Sequence, residues 1–435
     1  MSSDWHQIQL RETGKIVTGK TPKSGVSEYQ GTDVPFVTPP DFSGEKWIRN
    51  TVRTISDAGA RSVHGSQIPP RSVLVTCIGS DMGKAAIASS RCVTNQQINA
   101  IVVDESRYCP EFIYYNLSLR KNEIRGLAGG SAQPILNKSA FGLIAVEIPS
   151  LHVQRSIVEI VRPLDDRIAL LRETNHTLES IAQALFKSWF VDFDPVRAKS
   201  EGRVPEGMDE ATAALFPDSL EISELGEIPK GWRSGSIEDV CDVITNGGTP
   251  SRSEASYWAG GTIPWFKTGE LPDGFLISSG EMITEHALSS SSTKLLPQGT
   301  VLMALYGATV GRLGILTSPA AFNQACTALI AKPNFGRWFL YLTLYAGRNW
   351  FISRANGGAQ QNISKTIVVS YPMPLPSNAV LSVFHGICEA IFESVEKNTF
   401  QIATLSEIRD TLLPRLISGQ LRLPDAEAEI EALIG

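Results

Sequence analysis

One stretch of the 435-residue chain matches a chemical pattern outright. Gly14-Lys15-Ile16-Val17-Thr18-Gly19-Lys20-Thr21 fits GxxxxGK[ST], whose amides and lysine cradle nucleotide phosphates. That chemistry needs a helix after the loop, so that the helix N-terminus faces the phosphates. The following Pro22-Lys23-Ser24-Gly25 spells a turn, and the pattern is read as accidental. Six histidines (His6, His64, His152, His176, His286, His385) show no metal-ligand spacing, and there is no GxSxG. Six cysteines without a CxxC pair are expected as buried free thiols, with neither zinc nor disulfides. No catalytic site and no metal or cofactor bound by this chain are expected.

What the chain does carry is written twice. Residues 69–87 fall without a gap on 297–315, matching Val73/Val301, Leu74/Leu302, Gly79/Gly307, Gly83/Gly311 and Ile87/Ile315. Gly19-Lys20-Thr21-Pro22 falls on Gly247-Gly248-Thr249-Pro250, and Asn95-Gln96 on Asn323-Gln324, at the same offset. The copy of the phosphate-loop pattern lacks the lysine, a second reason to set it aside. So long a repeat means two homologous domains, not a solenoid. Each copy presents polar, glycine-rich loops: 19–29, 79–84, 95–97 and 129–133, then 247–257, 307–312, 323–324 and 357–361. Asn and Gln can read adenine bidentately, Arg and Lys can read guanine, and hydroxyls hold phosphate. The candidate DNA contacts are Lys20, Thr21, Lys23, Tyr29, Ser80, Asp81, Lys84, Gln96, Gln97 and Gln133 in the first copy. In the second they are Thr249, Arg252, Tyr257, Lys267, Thr309, Arg312, Gln324, Gln360 and Gln361. The matched glycines are expected to shape turns. The unmatched trio Ser80, Asp81 and Lys84, against Ala308, Thr309 and Arg312, gives two similar frames different reading chemistry.

Charge is uneven. The net −6 divides into +3 over residues 1–150, −6 over 151–230, +2 over 231–376 and −5 over 377–435. The repeated domains are mildly basic, whereas a stand-alone nucleic-acid binder would be far more so. The N-terminus shows no signal peptide and no run long enough to span a membrane. A cytoplasmic location is expected.

These residues need positioning elements. The expected fold is α/β (α+β), with target-contacting domains at 1–150 and 231–376. Apolar runs Val73-Leu74-Val75, Ile101-Val102-Val103, Leu143-Ile144-Ala145-Val146, Val301-Leu302-Met303 and Thr366-Ile367-Val368-Val369 are predicted strands. Helical regions follow at 151–191 and 377–435, with a linker at 192–230 holding at most short helical pieces near 209–215. The first helix repeats Leu164, Ile168, Leu171, Asn175, Leu178, Ala182, Leu185 and Trp189 at 4-3 spacing. The second repeats Ile387, Ile391, Ser394, Asn398, Gln401, Leu405, Ile408 and Leu412, superposing at an offset of 223. Such alternation is a coiled-coil seam, and two of equal length predict mutual pairing. Asn175 and Asn398 hold the same seam place, a position type that fixes register. Pro163 and Gly386 predict that each helix begins, or kinks, there.

Together these features resemble the DNA-specificity subunit of type I restriction–modification enzymes, over essentially the whole chain. The most specific segments are LESIAQALFKSWFVDFDPV (178–196), FPDSLEISELGEIPKGW (216–232) and LSEIRDTLLPRLISGQL (405–421). The G-x-T-P loops with a following Tyr and the loops of Gln133 and Gln361 are similar to the family's target-recognition domains. A second near-motif, Thr38-Pro39-Pro40-Asp41, is similar to the amino-group-binding loop of DNA methyltransferases. It lacks the leading Asn or Asp and the following aromatic. The resemblance implies a non-catalytic, pseudo-twofold scaffold whose two domains each read half of a split double-stranded DNA site. Its helices would pair antiparallel as spacer and docking surface for two modification subunits and, in a full complex, two restriction subunits. S-adenosylmethionine and ATP would be used by those partners.

Helix length agrees with that reading. Leu164 to Trp189 is 26 residues, roughly 39 Å of helix, or about 11–12 base pairs. About one turn of duplex puts two half-sites on one face. The competing readings are a coiled-coil scaffold binding proteins without sequence-specific DNA contact, and an ATPase at Lys20.

Overall fold

A computed structural model describes residues 5–79, 81–127, 135–355 and 362–434. The chain divides into two compact units, Met1–Leu170 with Ile402–Gly435, and Leu171–Gln401. The first contains a sheet of β1 (Gly14–Thr18), β2 (Trp47–Ile48), β3 (Val73–Thr76), β4 (Ala85–Ala88) and β5 (Ile98–Val103), in the order β1-β5-β3-β4-β2. The second contains β6 (Cys241–Asn246), β7 (Gly274–Leu276), β8 (Val301–Ala304), β9 (Leu313–Leu316) and β10 (Cys326–Ala331), in the order β6-β10-β8-β9-β7. Each position in the first order meets its counterpart in the second. Registers repeat as well: Val73 pairs Ile87, and Val301 pairs Ile315. The predicted repeat is therefore a repeated sheet, because the matched residues are its buried ones: Val73, Leu74 and Ile87, and Val301, Leu302 and Ile315. All six cysteines are buried with free thiols.

Two predicted strands are corrected. Residues 366–369 belong to a short helix, Lys365–Val369, and the strand follows at Pro372–Leu375. Likewise Leu143 and Ile144 follow the helix Lys138–Gly142, and the strand is Ala145–Ile148. At 366–369 the cause is capping: Ser364 accepts from the Ile367 amide, which starts a helical turn where apolar content suggested a strand. Asn137 accepts from the Ala140 amide and caps the helix that precedes Leu143, so that the strand begins only at Ala145. Residues 192–230 are also more than a linker. They form helices Asp194–Ser200 and Glu210–Ala214 and a hairpin of Leu220–Ser223 with Gly226–Pro229. Phe193, Val196, Phe216 and Ile228 bury this segment in the second unit's core.

The long helices are α1 (Leu151–Phe190) and α2 (Asn378–Ile417), both 40 residues. Within the second unit Asn175 of α1 meets Asn398, and Trp189 packs on Phe384. Rising numbers in one helix thus meet falling numbers in the other, and the pair is antiparallel. Neither helix begins at the expected breaker. α1 runs through Pro163, and α2 runs through Gly386. Pro163 forfeits one backbone hydrogen bond. Its neighbours Val161 and Leu164 are buried, so packing outweighs the local preference. The helix starts, Leu151 and Asn378, repeat at 227, one turn away from the superposition of the seams. A 4-3 stripe slid by one turn still matches itself at every second site, such as Leu164 with Ile391.

Gly386 is exposed, and a Cβ built there meets nothing within 4 Å. Gly386→Ala is therefore expected to stabilise the chain by about 0.5–1 kcal/mol. A thermal melt should show a small upward shift, and a downward shift would mean the site is not open helix.

Candidate nucleic-acid interface

The polar loops gather at one end of each sheet. β1 ends at Thr18 beside Asn99, β5 begins at Ile98 beside Thr76, and β3 and β4 join through residues 77–84. The three connections thus leave the same edge. They are tied there by backbone bonds: the Cys77 amide donates to the Gln97 carbonyl at 2.7 Å, and Leu136 to the Cys77 carbonyl at 2.9 Å. The second unit repeats both, with Leu305 donating to Ala325 at 2.8 Å and Ile363 to Leu305 at 2.9 Å. Strand topology therefore turns residues far apart in each domain's sequence, from Thr18 to Leu136 in the first, into one polar rim.

The frame of that rim is built by the matched residues. A Cβ on Gly19 would sit 2.0 Å from the Asn95 carbonyl oxygen, and one on Gly247 2.2 Å from that of Phe322. Only glycine lets the G-x-T-P loop lie this close to the Asn-Gln loop. The loops are then stapled: Thr21 Oγ1 donates to Gln96 Oε1 at 2.8 Å, and Thr249 Oγ1 donates to Gln324 Oε1. Gly79 and Gly307 take positive φ of 83° and 73°, turning the chain out of β3 and β8.

The variable positions differ as the sequence suggested, though several are engaged. Lys84 pairs with Asp81 at 2.9 Å and reaches the Phe42 carbonyl at 3.4 Å. Its counterpart Arg312 is exposed and makes no ion pair among the described residues. Lys20, Lys23, Gln96 and Gln324 are exposed, while Tyr29, Gln97, Tyr257 and Thr309 are half-buried. The Gln97 amide donates to Asn95 Oδ1, the Tyr257 ring packs edge-on to His286, and Thr309 donates to the Tyr306 carbonyl at 3.1 Å. Ser80, Gln133, Gln360 and Gln361 lie outside the described residues.

Arg252 and Lys267 converge on one carboxylate. Arg252 Nη1 donates to Glu281 at 2.5 Å and Lys267 Nζ at 2.7 Å. Hydrogen bonds from Lys267 and Arg252 hold the Glu281 carboxyl below its ordinary range. Glu281 was not among the sequence candidates. It lies 29 residues beyond Arg252, and only pairing of Ile263–Phe266 with Met282–Ile283 brings it alongside.

Asn175 and Asn398 come together across the helix pair. Asn398 Nδ2 donates to Asn175 Oδ1 at 2.8 Å, and Asn175 Nδ2 donates to Thr399 Oγ1 at 3.2 Å and the Val395 carbonyl at 3.3 Å. Each half-buried amide is thereby answered, at a place in the seam where a slipped register would leave it unpaired.

Neither near-motif forms its chemical site. Residues 14–18 are strand, and a three-residue turn at Ser27–Tyr29 follows the loop where the phosphate-binding pattern needs a helix. Asp41 instead caps its own turn, accepting from the Thr38 amide at 2.7 Å. Among the described residues no cluster of His, Cys, Asp and Glu could hold a metal ion, and no helix is long and apolar enough to cross a membrane.

Comparison with known proteins agrees on one family. The model of the type I restriction modification DNA specificity domain matches residues 2–180 and 229–380. The MjaIX specificity subunit of Methanocaldococcus jannaschii is 26% identical, over 97% of this chain and 94% of its own. The HindI specificity subunit of Haemophilus influenzae is also 26% identical, over 96% of this chain and all of its own. In structure, the S subunit of a type I system from M. genitalium superposes with a TM-score of 0.58 at 15% identity, covering 95% of this chain and 96% of that one. With two copies of the domain spanning most of its length, this chain belongs to the type I restriction–modification DNA-specificity family.

Proposed function

We propose that this protein is the non-catalytic sequence-reading subunit of a type I restriction–modification complex, and that each repeated domain reads one half of a split double-stranded DNA site. The observation that carries this is the duplicated rim, one loop frame stapled by Thr21–Gln96 and again by Thr249–Gln324. Its outward chemistry differs at equivalent places, Lys84 with Asp81 against Arg312 with Thr309. Two identical rims would read a repeated half-site; two different ones suit two unrelated halves. The antiparallel helices are proposed to fix the gap between the halves and to dock two modification subunits, with restriction subunits joining a full complex. S-adenosylmethionine and ATP would be used by those partners. The chain's small net charge fits an assembly in which partners supply much of the phosphate contact.

The test is genome-wide mapping of methylated adenines in cells carrying this chain with its modification subunit. A split motif with modified adenines about one helical turn apart is expected. An assembled complex without any motif would favour a protein-binding scaffold instead.

A further inference from the structure

Strand pairing sets up an equivalence between the domains that sequence overlay misses. The Phe36 amide donates to the Arg53 carbonyl at 3.0 Å, and the Trp265 amide donates to the Glu281 carbonyl at 3.0 Å. Phe36 and Trp265 therefore hold one place in the shared frame, and Arg53 and Glu281 another. In both domains a guanidinium lies over the ring at that place. Arg53 is 5.0 Å from the Phe36 centroid, and Arg252 is 5.0 Å from the Trp265 centroid. The cation arrives from the neighbouring strand in the first domain and from the G-x-T-P loop in the second.

The two sites differ in how firmly the cation is held. Arg53 is exposed and makes no ion pair among the described residues. Arg252 also lies 3.9 Å from the Trp258 centroid, and its Nη1 is bound by Glu281, which Lys267 braces from the other side. Both tryptophans are anchored to the same loop: Trp258 Nε1 donates to the Ser251 carbonyl and Trp265 Nε1 to the Gly248 carbonyl, each at 3.0 Å. Even so, the Arg252 side chain remains 53% exposed. A guanidinium fixed by ring faces and by one carboxylate at Nη1 keeps its other donors unbonded among the described residues, in a set geometry. That suits the bidentate edge of guanine. An unbraced guanidinium suits a phosphate, which asks for charge and little direction. Glu281 between two cations also leaves a single net positive charge, which weakens any purely electrostatic role.

We propose that Arg252, positioned by Glu281 and the Trp258 and Trp265 rings, reads a guanine in the half-site of the second domain, while Arg53 on Phe36 contacts a backbone phosphate in the first. This rests on the DNA-reading function proposed above.

The experiment co-expresses each variant with the modification subunit, maps the methylated motif, and measures binding of the complex to a duplex carrying the wild-type motif. Arg252→Ala should lower selectivity at one G·C pair of the second half by about ten- to hundredfold, leaving the first half unchanged. Glu281→Gln should relax the same pair. Arg252→Lys, which keeps the charge at an exposed position, should lose most of that selectivity too, because an ammonium has no planar fork. Arg53→Ala should keep the motif and lower the salt dependence of binding by about one counterion. Wild-type selectivity throughout the second half in the Arg252 and Glu281 variants would overturn the assignment, as would a changed base preference in Arg53→Ala. An assembled wild-type complex with no split motif would overturn the DNA-reading function itself, and the assignment with it.

Discussion

Deleting residues 172–178 from α1 together with 395–401 from α2 is expected to move methylation to sites whose halves lie about three base pairs closer, leaving the original sites unmethylated. Seven helical residues span about 10 Å at 1.5 Å each, or about three base pairs at 3.4 Å. The two segments face each other, since Asn175 bonds Asn398, Val395 and Thr399. Removing both takes out the asparagines as a pair, so neither amide is left buried without its partner. Ser394 and Gln401, expected in the seam, are exposed, and Phe392 and Val395 are the buried residues there. A whole heptad still keeps the phase of either stripe: Ala182 follows Leu171 in place of Asn175, and Ile402 follows Phe392 in place of Val395. The helices can therefore still pair. Motif mapping with the shortened chain reads the new gap directly. An unchanged gap in a folded, assembled complex would refute the ruler role.

The second large effect concerns stability. Asp165→Ala is expected to destabilise the first unit by about 3–5 kcal/mol, because it strands a buried cation. Asp165 is 10% exposed, and Lys46, whose side chain is 7% exposed, lies 3.4 Å from it. The same carboxylate accepts from Tyr115 Oη at 2.5 Å and from Arg409 Nη1 at 3.1 Å. Burial, reinforced by the adjacent Asp165, drives the Tyr115 hydroxyl's pKa far above its usual value, so it serves as a neutral donor. Losing Asp165 leaves Lys46 with the distant, exposed Asp166 at 3.8 Å. Arg409 keeps Asp410 and suffers less. Chemical denaturation should show the loss for Asp165→Ala, and much of it should be recovered by Asp165→Leu combined with Lys46→Met, since no charge is then buried. If the single and double variants were equally unstable, packing rather than charge would hold this place.

The second unit makes the corresponding contact mainly with aromatic rings, beside one carboxylate: Glu389 of α2 accepts from Trp338 Nε1 at 2.6 Å and pairs with Arg337. Phe384 packs against Phe186, Trp189 and Phe190, and Trp338 stacks on Phe392 with centroids 4.1 Å apart. Nothing in the repeat announced this difference. The overlay compares residues at equal offsets, whereas here one domain is seated by an ion cluster assembled from Lys46, Tyr115, Asp165 and Arg409, four distant points of the chain.

The sequence alone determined the duplication, the strands at 73–75, 101–103 and 301–303, and the asparagine pair between the helices. Those signals are local or periodic: buried apolar runs recur at a fixed offset, and a 4-3 stripe declares a helix face. Tertiary structure decided the rest. Burial of Val161 and Leu164 carried α1 through Pro163 against its local preference. The Ser364 cap turned the apolar run at 366–369 into a short helix, and the helix capped by Asn137 delayed the next strand to Ala145. Strand order gathered the Gly-rich loops at one edge, and only cross-strand pairing placed Glu281 between Arg252 and Lys267. Periodicity reports which face of an element is buried. Which elements become neighbours is settled by non-local contacts whose energy no single segment contains.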